Sequence, residues 1–363
     1  MEKALNIVSK FNLSSEVKNV KPLGNGHINS TFLAELKDGS KYTVQAINGY
    51  VFKNPPEVME NISKVTEHIR KKLTQEGKTD VDRRALKVIF SKEGKPYYKD
   101  EEGKYWRMYS FIDNASTYDN ANDPETLYNA GFGFGNFQNY IADIDVSGLF
   151  ETIPDFHNTT KRFENLAKAI KEDKMGRADS CRDVIDFYMS RIDEMSMLVD
   201  MRKNGELPVR VTHNDTKFNN ILIDDETKEA LAVIDLDTVM PGLITDDFGD
   251  AIRFCSNTAL EDETDLSKIH FDFERYKSFT DGFLTGINGN ITNKEIECLP
   301  YSAKIITMEI GSRFLTDYLE GDVYFKIHHE THNLDRAINQ ATLAASMERH
   351  FGEMKDFVKK YMK

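Results

Sequence analysis

The stretch from Val211 to Phe254 constrains the fold of this chain more than any other part of the sequence. It contains two short apolar runs, Asn220–Ile223 and Leu231–Ile234, separated by the charged turn Asp224–Glu229. Apolar β-rich runs that flank a short polar turn are typical of a β-hairpin. A loop marked by proline and glycine follows the second run. The sequence therefore predicts a hairpin with polar residues gathered at its strand ends.

The polar residues around this hairpin form a pattern with a specific chemistry. His213, Asp215 and Asn220 are arranged as H-x-D-x-x-x-x-N, and Asp235 follows in I-D-L-D-T. Phosphoryl transfer from ATP requires a carboxylate that orients the attacking hydroxyl, and an Asn and an Asp that hold magnesium. The stretch supplies all three at kinase-like spacing. The alternative is an acidic, solvated hairpin with capping residues, which is how a lone H-x-D would be interpreted.

These motifs resemble the catalytic and metal-binding loops of the aminoglycoside phosphotransferase-like kinases, which are related to the protein kinases. The longer strings H-N-D-T-K-F-N-N-I-L-I-D, I-D-L-D-T-V-M-P-G and D-F-G-D-A-I-R-F resemble more narrowly those of the N-acetylhexosamine 1-kinases. The resemblance implies that Asp215 is the catalytic base and that Asn220 and Asp235 are magnesium ligands. It implies an enzyme that uses ATP and Mg2+ to phosphorylate the anomeric hydroxyl of an N-acetylhexosamine. It extends over nearly the whole chain and is strongest at 212–254 and 309–335.

A glycine-containing turn near the N-terminus is the first candidate for binding ATP. Gly24, Gly26 and His27 lie between two strand-like segments, and a third such segment follows at Lys41–Ile47. Glycine in a hairpin turn lets backbone amides approach phosphate oxygens without interference from a Cβ. Turns use G-x-G often, so the interpretation depends on the position of this hairpin ahead of the H-x-D loop. The turn is not a Walker A loop, because no G-K-[ST] occurs there.

The third strand departs from the kinase pattern, in which a lysine contacts the ATP phosphates and a helical glutamate. It reads Y-T-V-Q-A-I-N, with Gln45 or Asn48 where a cation is usual. A neutral amide donates hydrogen bonds to phosphate but adds no charge. The positive charge would then come from Lys41, from Lys53 or from magnesium. The N-acetylhexosamine kinases share this glutamine, so it is interpreted as a feature of the lineage and not as the mark of an inactive enzyme.

Two more strands are predicted at 85–90 and 105–112, and the second should become the hinge between two lobes. Main-chain groups near Tyr109 and Phe111 are candidates for pairing with an adenine edge between apolar faces. An ordinary amphipathic strand fits the same residues almost as well. Beyond residue 113 the pattern becomes helical, and A-G-F-G-F-G-N within the predicted helix at 123–141 is interpreted as close helix packing, not as a nucleotide fingerprint.

Together these elements predict an α+β, protein-kinase-like fold with two lobes. The nucleotide-binding lobe is expected at 1–112, with a five-stranded antiparallel sheet and a helix at 53–73. The catalytic and sugar-binding lobe is expected at 113–363 and should be larger and mainly helical. ATP is expected to bind in the cleft between them.

The resemblance, and not the chemistry of the residues alone, singles out three further sugar contacts. Phe254 would offer an apolar face, Arg313 would donate to ring hydroxyls or an acetamido oxygen, and Tyr324 would supply a phenol. A core Phe, an ion-paired Arg and a packed Tyr are the alternatives. Other kinases of this superfamily, acting on choline, homoserine or aminoglycosides, are an alternative function, and so is a nucleotide-binding pseudokinase. Cationic acceptors would require an acidic or aromatic pocket.

Composition argues against several other classes of protein. A net charge of −13 disfavours nucleic acid or an anionic membrane as the main partner and does not exclude ATP. A small-molecule sugar as the second partner is what the resemblance implies. The three cysteines are far apart and form no C-x-x-C pair, so neither a disulfide framework nor a zinc ribbon is indicated. The run H-H-E-T-H at 328–332 lacks the H-E-x-x-H spacing of zinc enzymes.

The sequence also gives an expectation for where in the cell the protein is located. The N-terminus lacks the long apolar core of a signal peptide, and no stretch approaches the length of a membrane span. Both observations favour a cytoplasmic location. The oligomeric state and the preference between N-acetylglucosamine and N-acetylgalactosamine stay open.

Overall fold

A five-stranded antiparallel sheet lies near the N-terminus, and its strands follow the spatial order Val17–Pro22, Ser30–Leu36, Lys41–Ala46, Tyr105–Ser110 and Tyr98–Lys99. The computed structural model describes residues 2–23, 29–118 and 123–363. Within these ranges the strands are β1 (Val17–Pro22), β2 (Ser30–Leu36), β3 (Lys41–Ala46), β4 (Tyr98–Lys99), β5 (Tyr105–Ser110), β6 (Ala115–Ser116), β7 (Arg210–Thr212), β8 (Ile221–Asp224), β9 (Ala230–Val233) and β10 (Met240–Gly242).

Helices account for most of the rest of the described chain. They are α1 (Glu2–Val8), α2 (Pro55–Gln75), α3 (Val81–Arg84), α4 (Pro124–Ile141), α5 (Thr159–Glu172), α6 (Arg182–Met189), α7 (Met197–Lys203), α8 (Ile244–Cys255), α9 (Phe273–Gly286), α10 (Asn293–Glu320), α11 (His332–Arg349) and α12 (Phe351–Lys359). Among the described residues, no helix is both long and apolar enough to cross a membrane.

The chain divides into two compact units. The first comprises Met1–Thr117, Tyr140–Pro154 and Ile221–Pro241, and the second comprises Tyr118–Asn139, Asp155–Asn220 and Gly242–Lys363. The first unit holds the five-stranded sheet, which packs with α1 around a core that includes Val8, Phe11 and Val44. The second unit is mainly helical, with a core built largely from α5, α6, α10 and α11. The α+β class predicted from the sequence is confirmed.

The hairpin predicted from the sequence is present as β8 and β9, which pair in antiparallel register from Ile221–Val233 to Ile223–Ala230. The helix predicted at 53–73 is present as α2, and Pro55 begins it. The helix predicted at 123–141 is present as α4, and the Asp123 carboxylate caps it by accepting a hydrogen bond from the Thr126 amide at 2.8 Å.

The prediction of a strand at 85–90 is wrong, and the remaining strand of the five-stranded sheet is Tyr98–Lys99. In the segment 85–90 only an isolated bridge joins Val88 to Tyr109. The Ile89 amide donates to the Met108 carbonyl at 2.9 Å, so the segment follows β5 too briefly to form a ladder. Leu86 and Ile89 are buried, which explains why an apolar pattern appears in a segment that is not a strand.

The glycines of the A-G-F-G-F-G-N run pack α4 against α9, as predicted from the sequence. A Cβ at Gly131 would lie 2.1 Å from the Phe279 carbonyl oxygen, and one at Gly135 would lie 2.1 Å from that of Phe283. The contact is reciprocal, because a Cβ at Gly282 would lie 2.0 Å from the Tyr128 carbonyl oxygen. Only glycine allows the two backbones to approach this closely.

Gly282→Ala is therefore expected to destabilise the protein by about 1–3 kcal/mol, because the added methyl must push two helix backbones apart. Gly352→Ala on α12 is the matched control, since a Cβ there meets no atom within 4 Å. The control should be neutral or stabilise by up to about 1 kcal/mol. Urea titration of both variants measures the free energies of unfolding. Equal stabilities for the two variants would contradict the packing role of Gly282.

Candidate active site

The loop that follows β7 carries Asp215, and a buried carboxylate fixes its shape. Asp247 on α8 accepts hydrogen bonds from the His213 amide at 2.9 Å and from the Asn214 amide at 2.6 Å. Asn214 has a left-handed backbone conformation with φ of 64°. Residues other than glycine adopt this conformation at a cost, so it persists where surrounding contacts impose it. The loop is therefore held by specific contacts within the second unit.

Asp215 is partly buried and lies beside a cation. The Lys217 Nζ lies 2.9 Å from its Oδ1. Burial alone would raise the pKa of Asp215, but the charge of Lys217 and its hydrogen bond outweigh burial and lower that pKa. Asp215 is consequently a carboxylate at neutral pH, the form that accepts a proton from a hydroxyl.

Lys217 is a residue that the sequence analysis did not single out. Its place two residues after Asp215 in D-T-K was the available signal. Its side chain is 40% exposed, so the ammonium reaches both Asp215 and solvent. A partly exposed lysine ammonium of this kind can also contact an anionic group of a ligand.

Asn220 lies next to Asp215 in the second unit, as the sequence predicted. Its Nδ2 donates to the Asp215 carbonyl at 2.8 Å. This bond sets the orientation of the amide and leaves Oδ1 as the atom that would bind a cation. Oxygen donors of this kind are the ligands that Mg2+ prefers.

Asp235, the other predicted magnesium ligand, lies in the first unit directly after β9. Its side chain is exposed, and its backbone is left-handed with φ of 58°. Among the described residues, no cluster of three or more His, Cys, Asp or Glu is suited to a metal. Magnesium commonly takes one or two protein ligands and fills its other positions with phosphate oxygens and water.

The cation beside Gln45 is Arg107 on β5, which the sequence analysis did not single out. Arg107 Nε donates to Gln45 Oε1 at 2.9 Å, and its guanidinium forms a buried ion pair with Asp237. Asn29 also donates to Asp237, at 2.7 Å. The network joins β3 and β5 to the turn that contains Asp235, all within the first unit. The arginine in the apolar strand Y-W-R-M-Y was the signal that could have revealed it.

The two lysines that were expected to compensate for Gln45 have other partners. Lys41 forms an ion pair with Asp113 at 2.6 Å, and Lys53 lies 4.6 Å from the centre of the Tyr50 ring. Neither contact involves the Gln45 side chain. The cation that contacts Gln45 is Arg107, whose charge is paired with Asp237.

Helix α2 carries Asn61 at its buried face, and its three glutamates, Glu57, Glu60 and Glu67, are partly or fully exposed. The Asn61 side chain donates to the Val239 carbonyl at 2.9 Å and to the Phe150 carbonyl at 2.8 Å. It accepts from the Phe150 amide at 2.9 Å. Helix α2 thus holds the chain that follows Asp235 through neutral hydrogen bonds.

The remaining residues predicted to bind ATP are placed as follows. Gly24, Gly26 and His27 lie outside the described residues. Tyr109 is buried, and the Arg107 guanidinium lies 5.3 Å from the centre of its ring. The Phe111 amide donates to the Lys41 carbonyl at 3.0 Å, and the Lys41 ammonium lies 6.0 Å from the centre of the Phe111 ring.

Two of the predicted sugar contacts, Arg313 and Tyr324, lie together in the second unit. The Arg313 guanidinium lies 5.9 Å from the centre of the Tyr324 ring and 5.6 Å from that of Phe156. Tyr324 is 57% exposed, so its phenol is accessible. The amides of residues 323, 324 and 325 donate to the Asp317 carboxylate at 2.9, 2.8 and 2.9 Å, which fixes the loop that carries Tyr324.

Phe254, the third predicted sugar contact, has a cationic neighbour. The Arg253 guanidinium lies 3.8 Å from the centre of its ring. Arg253 is buried and forms ion pairs with Asp250 and Glu261, at 2.8 and 2.7 Å. This network fixes Phe254, which is partly exposed at the end of α8.

Arg313 belongs to a cluster of three cationic side chains around Glu309, which is 1% exposed. The His157 ring lies 2.7 Å from Glu309, and Arg162 and Arg313 each lie 3.7 Å from it. Burial and the nearby Arg313 lower the pKa of Arg162. We call these four residues the Glu309 cluster. The four members together carry a net positive charge, because one carboxylate faces three cationic groups, and Asp246 and Asp250 on α8 also act on His157.

A comparison of the sequence with models of protein families identifies the family of this chain. The sequence profile described as the phosphotransferase enzyme family (APH) matches residues 19–279. The chain belongs to this family. The predicted membership in the wider aminoglycoside phosphotransferase-like group is thereby confirmed.

Solved structures of similar fold agree with membership in the phosphotransferase enzyme family. An aminoglycoside phosphotransferase from Alicyclobacillus acidocaldarius matches with a TM-score of 0.67 at 13% identity, over 98% of this chain and 96% of that chain. A microcompartment-associated aminopropanol kinase matches with a TM-score of 0.60 at 13% identity, over 98% of each chain. The amicoumacin kinase hAmiN matches with a TM-score of 0.58 at 15% identity, over 98% of this chain and 93% of that chain. These matches confirm the protein-kinase-like fold with a β-sheet lobe and a helical lobe.

Proposed function

We propose that the chain is an ATP-dependent kinase that phosphorylates the anomeric hydroxyl of N-acetylglucosamine or N-acetylgalactosamine. The observation that carries the kinase part is the ionised Asp215, held beside Lys217 and Asn220 in a chain of the phosphotransferase enzyme family. The amicoumacin kinase of similar fold was solved with AMP-PNP and Ca2+, which supports ATP and a divalent cation as cofactors.

In this proposal Asp215 orients the sugar hydroxyl and accepts its proton as the phosphoryl group is transferred. Lys217 balances the carboxylate and is placed to meet the transferred phosphate. Asn220 and Asp235 would hold Mg2+, which when bound neutralises charge on the phosphates. Gly24, Gly26, His27, Gln45, Tyr109 and Phe111 are proposed to contact the nucleotide.

The further assignments belong to the same proposal. The nucleotide lobe is proposed at 1–112 and the catalytic and sugar-binding lobe at 113–363. A cytoplasmic location is proposed because ATP is available there.

The charge of the Glu309 cluster supports a neutral acceptor. The structures of similar fold include an aminoglycoside phosphotransferase and an aminopropanol kinase, whose named substrates contain amines. A protonated amine near Arg162 and Arg313 would be repelled, whereas an acetamido group offers a carbonyl oxygen to these donors. The cluster therefore favours N-acetylated sugars over amino alcohols and aminoglycosides.

The relative rates with different acceptors test whether the enzyme prefers N-acetylated sugars to acceptors that carry an amine. We expect kcat/KM for glucosamine to be about 100-fold lower than for N-acetylglucosamine, because a like charge a few ångströms away is worth roughly 2–4 kcal/mol at a partly exposed site. Sugar-dependent ADP release measures it, with galactosamine, choline and ethanolamine as further acceptors. Faster turnover of an amine would favour the amino-alcohol or aminoglycoside kinases, and no acceptor-dependent ADP release would favour a pseudokinase.

Arg313→Met in the same assay tests the proposed hydrogen bond between the Arg313 guanidinium and the acetamido oxygen of the acceptor. The variant should raise the KM for N-acetylglucosamine by about tenfold or more, since a hydrogen bond from a charged group contributes roughly 1.5–3 kcal/mol. The KM for ATP should stay within about twofold of wild type, because the proposed contact of Arg313 is to the acceptor only. An equal rise in both values would remove Arg313 from the acceptor site.

A further inference from the structure

The peptide group between Asn214 and Asp215 is held on both sides by histidines. The Asn214 carbonyl lies 3.0 Å from Nε2 of His157, and the Asp215 amide donates to Nδ1 of His213 at 3.2 Å. The orientation of this peptide plane sets the direction in which the Asp215 side chain leaves the backbone. The left-handed conformation of Asn214 makes that orientation unusual and dependent on its contacts.

His157 meets a hydrogen-bond acceptor at each ring nitrogen. Its Nδ1 lies 2.7 Å from Glu309 Oε2, and its Nε2 faces the Asn214 carbonyl. A carbonyl oxygen and an ionised carboxylate only accept, so the ring donates from both nitrogens and is an imidazolium. The side chain is 9% exposed, which excludes most solvent from these bonds.

The surrounding charges stabilise this form of the ring. Burial alone would lower the pKa of His157, but Glu309, with smaller contributions from Asp246 and Asp250 on α8, raises it to about 9. Burial alone would raise the pKa of Glu309, yet His157, Arg313 and Arg162 lower it. The facing groups thus keep His157 protonated and Glu309 ionised at neutral pH.

The two hydrogen bonds of His157, to Glu309 and to the Asn214 carbonyl, form what we call the His157 bridge. Glu309 connects this bridge to the acceptor side of the site. It lies on α10 one turn before Arg313, and the same carboxylate accepts from His157 and lies 3.7 Å from Arg313. We propose that His157 is a positioning residue that fixes the 214–215 peptide plane, and with it Asp215, to the acceptor-binding Glu309 cluster. The inference rests on the proposed function, because it takes Asp215 as the catalytic base.

Kinetics of two substitutions test the proposal. His157→Phe removes both donors, and we expect kcat to fall by about 10–100-fold while the KM for ATP changes by less than about twofold. His157→Gln keeps one amide donor and should recover part of the loss. His270→Phe is the matched control, since His270 also contacts a main-chain carbonyl, that of Ser267 at 2.6 Å, but is exposed. A folded His157→Phe variant with the kcat of the control would overturn the proposal.

A spectroscopic measurement separates this inference from the proposed function. In protein with 15N-labelled histidine, the ring signal that is lost in His157→Gln should show two protonated nitrogens at pH 7. That signal should change to a neutral ring as the pH rises through about 9. A neutral His157 at pH 7 would overturn the bridge, whatever the acceptor is. An imidazolium in a protein that phosphorylates no sugar would refute the proposed function and leave the bridge in place.

Discussion

Replacing Asp215 with asparagine is expected to lower kcat for sugar phosphorylation by about 10²–10⁴-fold, the usual contribution of a positioned general base. The asparagine amide cannot accept the hydroxyl proton. The variant should fold, because Asn220 binds the main-chain carbonyl of residue 215 and Asp247 holds the neighbouring amides. Neither of these contacts uses the Asp215 carboxylate.

The control for this variant is Asp225→Asn, an exposed carboxylate in the turn between β8 and β9. Its kcat should stay within about twofold of wild type, as expected for a surface substitution far from special features. Equilibrium binding of ATP and circular dichroism establish that the Asp215→Asn protein is intact. Near-normal kcat in an intact Asp215→Asn protein would remove this residue from the mechanism.

Replacing Arg107 with methionine is expected to destabilise the protein by about 3–5 kcal/mol, because it leaves the carboxylate of a buried ion pair without its partner. Arg107 and Asp237 are exposed by only 1% and 5%, so water cannot compensate the remaining charge. The same variant should weaken binding of magnesium and ATP, since Asp237 lies in the turn that begins at Asp235.

A double-mutant cycle measured by urea unfolding tests this account. Arg107→Met combined with Asp237→Leu should recover much of the lost stability, because no unpaired charge remains. Lys18→Met provides the comparison for an exposed pair, since Lys18 lies 2.8 Å from Glu35 with side chains that are 59% and 37% exposed. It should cost less than about 1 kcal/mol. Additive losses in the double variant would show that Arg107 and Asp237 are not coupled.

The features predicted correctly from the sequence are those with local signals. The β8–β9 hairpin, α2 and α4 follow from apolar periodicity, turn residues and capping residues that lie next to one another in the chain. The strand predicted at 85–90 failed because its apolar residues are buried beside β5 without forming a ladder. Periodicity reports burial, and burial does not specify hydrogen-bond pairing.

The polar networks could not be predicted because their members are distant in sequence. Arg107 and Asp237 are separated by 130 residues, and His157 and Glu309 by 152. Nothing local in Y-W-R-M-Y or D-F-H-N indicates a partner so far along the chain. Lys217 is different, because its position beside Asp215 was visible in the sequence and was not interpreted.

The product formed from N-acetylglucosamine, ATP and Mg2+ tests the central claim most directly. Phosphorus NMR should show a phosphate coupled to the anomeric proton. The methyl 1-glycoside of the same sugar, which lacks the acceptor hydroxyl, should give no product, and the 6-deoxy analogue should still react. A 6-phosphate product, or turnover of the methyl glycoside, would contradict transfer to the anomeric hydroxyl.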